Sequence, residues 1–103
     1  MNMNEFTERS RGFIQAAQTI AMREDHQRMV PEHLLKALMD DEQGLASNLI
    51  KRSGGSPERV VEALDAALAK QPKVSGDAGQ VYMDSAFAKV VDEAEKQIGR
   101  AHV

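Results

Sequence analysis

The chain has no cysteine, no tryptophan, three prolines and few aromatics, with one Tyr and three Phe. Without cysteine it has neither disulfides nor thiolate chemistry. With so few rings, a core must be built from Leu, Val, Ile, Ala and Met. No apolar run is long enough to span a bilayer. The opening stretch, Met1 to Glu8, is polar and lacks a signal-peptide core. Thirteen basic and sixteen acidic residues give a net charge of −3. The signs are mixed and no basic stripe is set to neutralise phosphates, so neither nucleic acid nor membrane is an expected partner. These absences fit a soluble, cytoplasmic protein. At 103 residues and 42% hydrophobic content the chain supports one small domain with a thin stability margin.

What is present is helical periodicity. Phe6, Phe13, Ala17 and Ile20, widened by Ile14 and Ala21, predict a first helix from about Glu5 to Arg23, with Asn4 as its N-cap. Pro31 opens a second helix with Leu34, Leu35, Leu38 and Met39 on its apolar face. Asp40-Asp41-Glu42 marks a junction, and a short third helix follows from Leu45 to Arg52 with Leu45, Leu49 and Ile50 inward. Ser53-Gly54-Gly55 is a turn. Ser56 then caps a fourth helix that has Pro57 in its first position and ends before Gln71-Pro72. Residues 73–80 read as an exposed loop, Val81 to Met83 as a short extended piece, and Asp84 or Ser85 as the cap of a fifth helix.

The first and fifth helices carry the same stripe. Phe13, Ile14, Ala17 and Ala21 recur as Val90, Val91, Ala94 and Ile98 after about 77 residues, the length of a whole structural unit. The expected organisation is therefore a four-helix unit over 1–72, a connecting loop over 73–83 and the first helix of a second unit over 84–97. The fold class is all-α.

Searches for chemistry return little. There is no Gly-x-x-x-x-Gly-Lys phosphate cradle, no Gly-x-Ser-x-Gly elbow and no His-Glu-x-x-His pair. His26 and His33 stand seven apart, but a metal site needs further ligands, and a surface or capping role is the preferred reading. The acidic junction lacks the frame of an EF-hand loop. Met22, Met29 and Met39 are expected in the core, and Tyr82 and Met83 partly exposed.

Val30-Pro31-Glu32-His33-Leu34-Leu35-Lys36-Ala37-Leu38 resembles the opening of the second helix in the Clp N-terminal repeat family. Phe6-Thr7-Glu8, Ala16 to Ala21 and Gln71-Pro72-Lys73-Val74-Ser75-Gly76 agree with it in order and spacing, so the resemblance covers residues 4–97. Within the Clp class of AAA+ chaperones the pattern is most similar to the disaggregase branch, the ClpB type. The resemblance implies a pseudo-twofold pair of four-helix repeats, here one complete repeat plus the first helix of the next. It implies recruitment of unfolded or aggregated polypeptide, with Thr7, Phe87, Val90 and Val91 at the groove that holds it. It also implies no cofactor in this segment, since ATP and Mg belong to ATPase modules elsewhere in the parent. The parent would be a hexamer working with a DnaK-type chaperone system, and this segment a monomer without catalysis.

Ile98 to Val103 leaves the family pattern after Gln97 and matches a translated sequencing-adapter sequence. The expectation is a non-native tail over 98–103, with the native frame continuing past Gln97. Two other readings differ in function. An adaptor-binding N-domain of a ClpA- or ClpC-type unfoldase shares the repeat. A small helical enzyme with His33 as general base does not, and nothing in the sequence positions a partner for that histidine.

Overall fold

The computed structural model describes the backbone of residues 3–74 and 81–101, and the side chains of 8–74 and 81–96. It contains five helices: α1 (Met3–Arg23), α2 (Pro31–Met39), α3 (Leu45–Arg52), α4 (Pro57–Ala69) and α5 (Ser85–Ala101). Two short strands accompany them, β1 (Arg28–Met29) and β2 (Tyr82–Met83). The all-α class stands, and the strand pair is an addition to it.

α1 begins at Met3, so Asn4 lies inside the helix rather than capping it. Its other end is a Schellman turn. The His26 N–H donates to the Ala21 carbonyl at 2.8 Å and the Asp25 N–H to the Met22 carbonyl at 3.1 Å. Asp25 occupies the left-handed position, φ 60°, where glycine is usual. The same closure ends α3, where Gly54 takes φ 89° and the Gly55 N–H reaches the Ile50 carbonyl. The two prolines at helix starts behave as the sequence indicates. Pro57 follows Ser56, whose hydroxyl oxygen accepts the Arg59 N–H at 3.3 Å. That hydroxyl also donates to Glu58. The Glu58 carboxyl sits below its usual pKa range because its own backbone N–H, then Ser56, favour the charged form.

The core lies between α1, α2 and α5. Ala17, Ile20, Ala21, Met29, Ala37 and Phe87 form one buried cluster, with Ile14, Leu34 and Val91 packed against it. Alanines at 17, 21 and 37 let the helices approach closely, and Phe87 fills the space from the α5 side. α4 packs on α2 through buried Leu64 and Leu68. Lys36 links the same two helices through a 3.1 Å ion pair with Asp65.

Three expectations about burial change. Met29 and Met39 are core residues as expected, but Met22 is half exposed. Leu45 and Leu49, expected inward, are 60% and 57% exposed. α3 meets α2 and α4 along one side only and buries no residue completely, so these two leucines fall on its open side. The start of the expected loop is also not free. Lys73 bridges to His26, the Val74 N–H donates to the Asp25 carbonyl at 2.9 Å, and β2 pairs with β1 in parallel. Residues 75–80 lie outside the described residues. α5 runs past Gln97 to Ala101, and the side chains of the expected non-native tail are likewise outside them.

Candidate functional site

Asp84 sets the start of α5. Its carboxylate accepts the Ala86 N–H at 3.0 Å and its carbonyl accepts the Ala88 N–H. That start fixes which way the next turns point. Phe87 faces inward and is wholly buried, 0% exposed, among the alanines of α1 and α2. Val91, one turn on, is half-buried against the same cluster. Val90 points away and is 44% exposed.

The expected groove residues are therefore split. Phe87 is a core side chain with no surface to offer a ligand. α5 turns Phe87 and Val91 onto the α1–α2 cluster and leaves Val90 outside. Thr7 lies on the α1 helix, and its side chain is outside the described residues. Tyr82 and Met83, just before α5, are 55% and 47% exposed, as expected. With Arg28, Asp84 and Ser85 they line a shallow hollow of about 310 Å³.

A larger open cleft, about 650 Å³, lies between α1 and the α2–α3 junction. Phe13, Ala16, Ile20 and Ala37 supply apolar wall, while Asp40, Asp41 and Glu42 form an acidic rim. Arg9 ties the two sides together. Its guanidinium lies 5.8 Å from the Phe13 ring centre, donates to Gln43 Oε1 at 2.9 Å and faces Asp41 at 3.7 Å. Sequence reasoning missed this cleft. Its signal was the width of the α1 stripe, which is broader than one buried face requires.

His26 and His33 are buried rather than on the surface, at 2% and 0% exposure. Their rings meet through a 2.9 Å contact between His26 Nδ1 and His33 Nε2. The capping expectation holds for His33, whose Nδ1 accepts the Val30 N–H at 2.9 Å while its backbone N–H donates to the Val30 carbonyl. Burial, then the neighbouring His26, hold the His33 pKa below its ordinary value. A general base so enclosed, with both ring nitrogens engaged, has no route to a substrate proton. Among the described residues no cluster of three or more His, Asp or Glu side chains is placed to hold a metal ion.

The described surface thus combines exposed apolar side chains with mixed charge. The profile of the Clp repeat (R) N-terminal domain matches residues 5–102. The chaperone protein ClpB of Rhodopseudomonas palustris is 53% identical over 102 residues, covering 98% of this chain and 12% of the relative. The ClpB of Agrobacterium fabrum is 53% identical over 95 residues, 92% of this chain and 11% of the relative. The ClpB of Nitratidesulfovibrio vulgaris is 40% identical over 98 residues, again 92% and 11%. The chain therefore spans only a small part of the length of these relatives. With five helices in the expected order and a match along nearly its whole length, the chain belongs to the Clp repeat N-terminal domain family, in the form carried by ClpB chaperones.

Proposed function

We propose that this chain is the substrate-recruiting N-terminal module of an ATP-dependent protein disaggregase, and that it binds unfolded or aggregated polypeptide without catalysing any step itself. The observation that carries the reading is the 53% identity to a chaperone over 98% of the chain. The exposed side chains of Tyr82, Met83 and Val90 on the β2–α5 segment supply apolar surface for such contact. Thr7 and the accessible part of Val91 are further contacts in this reading, and Phe87 supports the surface from beneath. ATP and Mg act in modules outside this segment, in a hexameric parent that works with a DnaK-type partner.

The test is fluorescence anisotropy of a labelled, chemically unfolded polypeptide titrated with the chain and with Val90→Asp. The variant is expected to weaken binding at least tenfold while its helical circular dichroism stays the same. Equal binding by both proteins would remove the β2–α5 surface from the account. No binding by either would remove polypeptide recruitment by this segment.

A further inference from the structure

His26 and His33 are the only buried polar side chains among the described residues, and their hydrogen bonds form a one-way relay. The Val30 N–H donates to His33 Nδ1, so that nitrogen carries no proton. The proton of a neutral His33 then sits on Nε2 and is donated to His26 Nδ1. The proton of a neutral His26 is left on Nε2, a buried atom that meets no acceptor among the described residues. The tautomers follow from the backbone amide that starts the chain.

The relay also has a position in the fold. His26 is the inward-turned residue of the Schellman closure of α1 and is bridged to Lys73. His33 stands in the first turn of α2. Between His26 and Val30 lies β1, held at both sides by the relay. β2 is secured on β1 by the Tyr82 N–H to the Gln27 carbonyl at 2.7 Å and the Asp84 N–H to the Met29 carbonyl at 2.9 Å. α5 follows directly.

An added proton has two ring nitrogens to go to, and each already faces an N–H. On His33 Nδ1 it meets the Val30 amide, and on His26 Nδ1 it meets His33 Nε2–H. Either choice sets two donors against each other in a buried site, which costs the bond and the desolvation of the charge. We propose that the His26–His33 pair is an acid-sensitive latch. Neutral, it pins β1 and, through β1, the β2–α5 arm; protonated, it frees that arm and uncovers Phe87 and Val91. The latch stands independently of polypeptide binding.

Several charged groups lie around the pair. Glu24 at the end of α1 and Glu32 on α2 favour the protonated form of His33. Asp25 is the neighbour of His26 in the turn. Lys73, from the segment after α4, is bridged to His26 through the backbone, and at the strand pair Arg28 and Asp84 face each other at 3.7 Å. Glu24 is exposed and Glu32 half-exposed, so water weakens their pull, whereas burial is the largest influence on His33 and lowers its pKa. The folded chain therefore withholds a proton that the unfolded chain accepts near pH ~6.5. Stability is full above that pH and falls as the pH drops below it, by at most about tenfold in the folding constant per pH unit for one withheld proton.

The test is urea unfolding of the 103-residue chain at pH 7.5 and 5.5, with the Tyr82 and Asp84 amides followed by NMR without urea. A fall of up to about tenfold in the folding constant at pH 5.5 is expected, with both amides shifting away from their strand-pair positions as the pair takes up the proton. The double variant His26→Met with His33→Asn keeps an acceptor for the Val30 N–H and should lose this slope. It retains His102, so any contribution from that residue stays in both proteins. Equal wild-type stability at the two pH values, or the same slope in the variant, would overturn the latch. If the variant does not fold, the wild-type amides decide: no movement of Tyr82 and Asp84 while the histidine ring signals titrate also overturns it.

Discussion

Phe87→Ala is the most revealing single change. Phe87 is wholly buried and is the largest fully enclosed side chain among the described residues. Emptying such a site costs about 3–5 kcal/mol, the transfer energy of the ring plus the cavity it leaves. A domain of about 100 residues has roughly 5–15 kcal/mol in total, and one this small lies near the lower end. The variant is therefore expected to lose about half its stability or more. In urea, with an m-value of about 1–2 kcal/mol per M, the midpoint should fall by roughly 2–5 M. Val90→Ala is the control, because Val90 is 44% exposed and should cost less than ~1 kcal/mol. Far-ultraviolet circular dichroism reads both. A loss below ~1 kcal/mol for Phe87→Ala would refute the core assignment and return Phe87 to the groove that the family resemblance implies.

Other outcomes follow from the turns and caps. Asp25→Gly should raise the melting temperature by several degrees, because it relieves a left-handed strain of about 1 kcal/mol at the position glycine fills in the matching turn at Gly54. Ser56→Ala should cost about 1 kcal/mol in thermal unfolding, through loss of the acceptor for the Arg59 N–H. Leu45→Ser with Leu49→Ser should stay within ~1 kcal/mol of wild type, whereas Leu64→Ser, in the α2–α4 contact, should cost several kcal/mol by the same assay.

The helices were largely legible because their ends carry chemistry. Pro31, Pro57 and Ser56 mark starts, and Asp40 to Glu42 and Ser53 to Gly55 mark stops, all local signals. Which side of a helix faces the core is a tertiary matter. The α3 pattern has one apolar stripe, and only the placement of α3 against α2 and α4 decides that Leu45 and Leu49 lie outside it. His26 shows the same limit. Its polarity suggests the surface, but a Schellman closure at Asp25 directs it back into the core, and no motif marks that closure when glycine is missing. β1 and β2 are too short for an alternating pattern, and their pairing spans more than fifty residues. The resemblance places Phe87 at the groove, and its burial against Ala17, Ala21 and Ala37 becomes visible only when the helices are packed.

In the proposed function the β2–α5 surface receives unfolded polypeptide. Methyl and amide NMR of the 103-residue chain, titrated with a chemically unfolded polypeptide, tests it residue by residue. Progressive shifts at Tyr82, Met83 and Val90, with Leu64 and Leu68 unmoved, are the expected result. Shifts confined to the Phe13–Ala16 cleft, or none at all, would contradict it.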